Sequence, residues 1–334
     1  MQIFKTPNFD FVRWRWHAIG LSLVIILAGL FRTATHGLPL GVEFQGGTSV
    51  ILQFEQPPDI ARIRATLAGG FPDGDDAIVQ QYGPGGSNQV MIRVSQVGAE
   101  VGSELGKTVE LVEDVLRKGN VGTFKREGTQ VVGPVVGEQL KRQGTLATVL
   151  ALTGILIYIG LRFQFSFAAG AVVATIHDLL VTLSFLVFFN YDITLNVIAA
   201  ILTITGYSVN DTIVVFDRVR ENMRAMRRDR LGHIVNVAVN QTLARTIITA
   251  GTTLLSVLAL FLFGGEVLKG FAFTMIVGII SGTYSTVFIA SAIAIILSSK
   301  RSSRSGSAAA SAGEGPPSTV SKPGVKKQKR ARAS

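Results

Sequence analysis

At 334 residues, with 48% hydrophobic and 16% charged residues and a mean hydropathy of +0.41, the chain is too apolar for a water-soluble protein of its size. It contains no cysteine, which excludes disulfide frameworks, thiolate metal sites, iron–sulfur clusters and cysteine nucleophiles. Its net charge of +10 invites a nucleic-acid reading that so apolar a composition does not support, so the location of the charges becomes the question.

In chain order, residues 1–15 form a basic leader and 16–31 a first apolar stretch. Five more follow at 145–161, 165–189, 193–215, 247–263 and 271–297. Each approaches the roughly 20 helical residues that cross a bilayer core. The first follows Arg13 and Arg15 as a signal peptide would. Thr33-Ala34-Thr35-His36 is a poor cleavage site, however, and a retained anchor is expected. The expected fold is therefore a six-helix polytopic membrane protein. Residues 32–144 form an external α+β domain between helices 1 and 2, and 145–298 a five-helix bundle with a polar connection at 217–245.

Within 32–144, Val42 to Phe54 is rich in β-branched residues around Gly46-Gly47. Pro57-Pro58-Asp59 opens a helix carrying Ile60, Ile63 and Leu67 on one face. Ala77 to Tyr82 and Asn88 to Val94 read as a hairpin turning at Gly83-Pro84-Gly85-Gly86. Val101, Leu105, Val109, Val112 and Leu116 mark an amphipathic helix, and Val121–Phe124 with Thr129–Val132 offer a last strand or hairpin. The order βαββαβ is that of a ferredoxin-like split fold. After residue 298, 299–334 is Ser, Ala, Gly, Pro and basic residues, with too little apolar surface to fold; a disordered basic tail is expected.

Sidedness follows from the charges. The leader carries +2, the 217–245 connection +4 and the tail +8, whereas 32–144 carries −2 and the remaining segments together −2. The positive-inside rule makes the first three cytoplasmic, with both termini inside and the α+β domain outside.

Ionisable groups within spans cost about 2.5 to 3.5 kcal/mol each on insertion scales and are functional candidates by default. Asp211 late in the fourth stretch, Arg245 at the start of the fifth and His177-Asp178 in the third qualify. Asp211 and Arg245 are equidistant from residue 228, so two helices extending into the 217–245 connection bring them to one depth. Asn196, Thr203, Tyr207 and Asp211, with Asn210 beside them, share a helical face; so do Thr242, Arg245, Thr249, Thr252 and Ser256. Such stripes are expected inside a bundle, either as a proton relay or as a static ion pair among packing hydroxyls. A satisfied interior pair is the commoner role for His177-Asp178. Gly270, Thr274, Gly278, Gly282, Thr286 and Ala290 recur every four residues, a small-residue ridge for close packing within the chain or, alternatively, against a second membrane subunit. There is no phosphate-binding loop, no H-E-x-x-H and no histidine cluster, so neither a nucleotide-driven enzyme nor a metal site is expected.

The run Gly206-Tyr207-Ser208-Val209-Asn210-Asp211-Thr212 through Asn222 resembles the fourth-span signature of the SecD/SecF family, accessory components of the bacterial Sec translocase. Gly41-Val42-Glu43-Phe44-Gln45-Gly46-Gly47-Thr48, Val132-Gly133-Pro134-Val135-Val136-Gly137 and Arg245-Thr246-Ile247-Ile248-Thr249 match in order, Glu43 standing where the family pattern has aspartate. The resemblance implies a SecD-like partner beside a SecYEG channel in the inner membrane. It implies proton-motive-force-driven help to preprotein export, with the proton gradient in place of any cofactor, Asp211 and Arg245 in proton passage, and no need of nucleic acid. Gly133, Pro134 and Gly137 would link the second span to the external domain. A proton-independent scaffold and a small-molecule or lipid exporter of the same superfamily stay open as alternatives.

Overall fold

The computed structural model describes residues 8–70, 77–82, 88–94 and 105–298. The turn at 83–86, Val101 and the tail beyond 298 lie outside the described residues. Helix α1 spans Phe11–His36, α2 Val42–Gln45, β1 Gly47–Phe54, α3 Ile60–Gly70, β2 Ile78–Tyr82, β3 Gln89–Val94, α4 Leu105–Lys118 and β4 Phe124–Val132. The bundle continues with α5 Pro134–Arg162, α6 Phe165–Phe188, α7 Leu195–Ala225, α8 Leu231–Phe263 and α9 Glu266–Ser285, which runs on through a π turn at Thr286–Ala290. Six of these helices are long and apolar enough to cross a membrane.

The α+β domain is the expected split βαββαβ arrangement. Its antiparallel sheet has the order β2-β3-β1-β4, and one face packs on α3 and α4. Alternation dictates that face: Val50, Leu52 and Phe54 of β1 and Val90, Ile92 and Val94 of β3 are buried against Ile63, Leu67, Val112 and Leu116. The last strand is single. The break that suggests a hairpin is a bulge: Ile51 pairs with Gly128 and Leu52 with Arg126, leaving Glu127 as the extra residue.

Helical structure runs well past the apolar stretches. Helix α1 starts before residue 16, where Asp10 caps it by accepting from the Arg13 N–H, and ends after 31, where the Gly37 N–H donates to the Thr33 carbonyl. Helix α5 begins at Pro134, not 145, because Gly133-Pro134 is a helix start: an extended cap followed by proline, whose missing N–H would have no partner there. The sheet domain therefore ends at the GP step. The 217–245 connection is mostly helix, with only Met226–Arg230 between α7 and α8.

Burial sorts the bundle. The most apolar windows of α6, α7 and α9 are 44–61% buried, against 6–17% in α1, α5 and α8. Helices α6, α7 and α9 form the inner layer, and the α9 ridge explains their close approach. A Cβ on Gly278 would collide with Ile204, and one on Gly282 would lie 2.9 Å from the Ser208 Cβ. The ridge faces α7 of the same chain and is not open to a second subunit.

Two glycine elements join domain to bundle. Gly46 and Gly47, at φ +74° and +112°, turn the chain from α2 into β1 through backbone that side chains disfavour. Gly137 of α5 packs against that turn: a Cβ there would sit 3.0 Å from the Gly46 nitrogen, and backbone cannot move aside as a side chain would. Gly137→Val should wedge the joint open. Overpacking costs about 1 to 3 kcal/mol, so amide exchange of residues 42–47 should accelerate about tenfold or more, with the amides of α6 and α9 unchanged; unaltered exchange at 42–47 would refute the packing role.

Candidate functional site

Two carboxylates, Asp178 and Asp211, lie within the apolar stretches of the spans, and their surroundings are opposite. Asp178 of α6 is buried and saturated. Ser208 of α7 donates to Oδ2 at 2.5 Å, Ser285 to Oδ2 at 2.7 Å and Ser281 to Oδ1 at 3.0 Å. His177 Nδ1 lies 3.0 Å from Oδ1, a fourth polar contact, while its Nε2 is buried with no partner. Three inner helices thus meet on one carboxyl group. The serines were not singled out from sequence; Ser281 and Ser285 sit one turn apart, flanking the glycine ridge, which was the available signal.

Asp211 of α7, half-buried, has one partner. Thr246 of α8 donates to its Oδ1 at 2.7 Å, and Oδ2 is buried with none. Thr286, the first residue of the π turn, hydrogen-bonds Thr212 at 2.9 Å and lies within electrostatic reach of the carboxylate. π turns widen a helix locally and are frequent at functional sites.

Arg245 does not form the static ion pair considered from the sequence. No contact within 4.0 Å joins it to Asp211; it is exposed and acts on the carboxylate only through space. The reason is helical phase. Adjacent residues on a helix are 100° apart, and α8 turns Thr242 and Thr246 inward, leaving Arg245, Thr249, Thr252 and Ser256 outside. On α7, Asn196, Thr203 and Asn210 are likewise exposed and Tyr207 is half-buried. Thr249, Thr252 and Ser256 donate to carbonyls of their own helix, which lets hydroxyls face an apolar medium. The stripe expected inside the bundle is an outward polar face of this chain.

A second polar cluster docks the sheet onto the bundle. Arg93 of β3 ion-pairs with Asp192 in the turn between α6 and α7 and donates to the Leu40 carbonyl at 3.0 Å. Gly41 N–H donates to the Ile193 carbonyl, and Ile193 N–H to that of Pro39. Glu43 Oε2 is buried beside them without a partner. Burial raises the Asp192 pKa above its ordinary value and the negative charge of Glu43 adds to this, while Arg93 and, more weakly, Gln80 oppose it. Undocked, Asp192 would titrate normally, so the docked state holds the proton more tightly. Docking stability is then fully present below the ordinary value of 3.8 and is lost as pH rises through the raised one. Exchange protection of the Gly41 and Ile193 amides, corrected for intrinsic rate, should rise on acidification from neutrality, and Asp192→Asn should abolish that rise. Protection that falls instead would reverse the assignment.

This is the architecture of a polytopic membrane protein with a ferredoxin-like domain between its first two spans and two separately held carboxyl groups in the bundle. The family model for the SecD/SecF protein export membrane protein C-terminal region matches residues 111–300, and that for the SecD/SecF GG motif matches 33–58. The protein translocase subunit SecF of Pseudomonas aeruginosa is 40% identical over 294 residues, covering 88% of this chain and 92% of that protein. SecF of Escherichia coli O157:H7 is also 40% identical, with 88% and 89% covered. The crystal structure of SecDF, a translocon-associated membrane protein from Thermus thermophilus, superposes with a TM-score of 0.78 at 30% identity over 89% of this chain; the chain spans 40% of the length of that one. The chain belongs to the SecD/SecF family.

Proposed function

We propose that this chain is the SecF-type subunit of a bacterial Sec translocase, using the proton-motive force with a SecD-like subunit to assist preprotein movement through a SecYEG channel. The observation that carries the proton role is the contrast between the two intramembrane carboxylates. Asp178 is met by four polar groups, whereas Asp211 has one hydrogen bond and a second oxygen buried without a partner, next to a π turn and under the through-space influence of Arg245.

A helix movement that changes the Asp211–Arg245 separation changes which form of the carboxyl is preferred, and proton occupancy biases the movement in return. Gly46, Gly47 and Gly137 pass such movement from α5 to the sheet, and Arg93–Asp192 passes it from the α6–α7 turn. The outward face of Asn210, Arg245 and Thr249 needs cover in an apolar medium, which supports a SecD-like neighbour there. The charge excess of the leader, the α7–α8 connection and the tail supports cytoplasmic termini and a periplasmic sheet domain.

The test is preprotein translocation into proteoliposomes with and without a proton gradient, wild type against Asp211→Asn. Loss of only the gradient-stimulated part supports the reading. A variant that responds to the gradient like wild type leaves a proton-independent scaffold.

A further inference from the structure

At the bundle end away from the sheet, a cleft of about 520 Å³ opens between the last turn of α5, the first turn of α6 and the extended part of α7. Its floor is aromatic: Phe216 meets Phe167 edge-to-face at 5.2 Å and Phe163 at 5.9 Å. Its rim is cationic. Arg220 and Arg224 fall at i and i+4 on one face of α7, Arg227 in the turn just after that helix lines the same rim, and Arg162 closes the other side. Arg162 is held by Asp217 at 2.8 Å and lies over Phe163 at 5.1 Å, whereas among the described residues no carboxylate lies within 4.0 Å of the other three. The cap of α6, Gln164, lines the cleft and makes no side-chain cap bond, so the positive end of that helix adds to the field.

A file of like charge on one helix face is self-repelling unless an anion occupies it. The depth identifies the anion. Two apolar spans end and begin here, and Leu161 and Phe165, next in sequence to the lining residues Arg162 and Gln164, are 85% and 73% exposed and offer an apolar surface beside the cleft. A soluble phosphate would use only the rim; a phospholipid would use rim and surface together. Arginine's planar fork suits phosphate oxygens, and basic pockets between membrane helices suit anionic head groups.

We propose that this cleft is a binding site for an anionic phospholipid, its phosphodiester held by Arg220, Arg224 and Arg227 and an acyl chain lying along Phe165 and Leu161. The experiment is lipid retention by the full chain in detergent, followed by native mass spectrometry, with phosphatidylglycerol and phosphatidylcholine as probes. Thermal unfolding in the same detergent gives a second readout. Phosphatidylglycerol should be preferred, and the double variant Arg220→Gln/Arg224→Gln should lose about thirtyfold of that affinity together with the lipid-induced rise in Tm. The control Arg228→Gln/Arg230→Gln removes the same charge from the adjacent turn, outside the cleft, and should keep both. Equal losses in the two double variants, no preference in the wild type, or displacement of the lipid by equimolar inorganic phosphate would each overturn the proposal.

Discussion

Asp211→Asn is expected to remove the gradient-stimulated part of translocation completely while leaving the protein folded and its complex assembled. Asparagine has the same shape. Its Oδ1 still accepts from Thr246, and its amide fills the position where the Asp211 Oδ2 is buried without a partner. What it cannot do is change charge. One elementary charge crossing the membrane is worth about 2.3 kcal/mol per 100 mV, roughly a fiftyfold bias between two conformations, and that bias is what the variant forfeits. Gradient-independent translocation should be unchanged, and the variant should co-purify with its membrane partners at wild-type yield. Arg245→Gln should weaken the gradient response less than Asp211→Asn, because Arg245 acts on the carboxylate from a distance and makes no ion pair with it. Full stimulation in Asp211→Asn would exclude this carboxyl from the proton path.

Much of the fold was legible because its signals are local. Six apolar runs and the alternation of Val50, Leu52 and Phe54 against Ile63 and Leu67 follow from periodicity and need no knowledge of neighbours. Helix ends were less legible. Polar residues extend α7 and α8 beyond the apolar stretches, and hydropathy does not see a helix that continues into water; the GP step at 133–134 was the better marker. Asp211 was visible because a charge in a span is conspicuous. Its true partner, Thr246, was not, since spacing shows that Arg245, Thr249, Thr252 and Ser256 share a face but not which way that face points. Asp192 and Arg93 lie 99 residues apart in two different domains, and only the tertiary structure brings them together.

Asp178 supplies the complementary prediction, because the same substitution logic gives the opposite phenotype there. Asp178→Ala would leave Ser208, Ser281, Ser285 and His177 without their acceptor at the meeting point of α6, α7 and α9. Leaving a buried donor without its acceptor costs about 1 to 3 kcal/mol in soluble proteins. Interhelical hydrogen bonds in membranes average nearer 0.6 kcal/mol each, so about 2 kcal/mol is a lower bound for the set. The expected result is a lower Tm in detergent and reduced accumulation in the membrane. Asp178→Asn keeps one acceptor oxygen, and the serine hydroxyls can turn to accept from its amide, so its loss should be smaller, about 1 to 2 kcal/mol. In both variants translocation should fall in proportion to the folded protein present, with the gradient-stimulated fraction of what remains intact. That ratio separates a structural carboxylate from a working one. Asp178→Asn with wild-type stability but no gradient response would move the proton from Asp211 to the serine-ringed site.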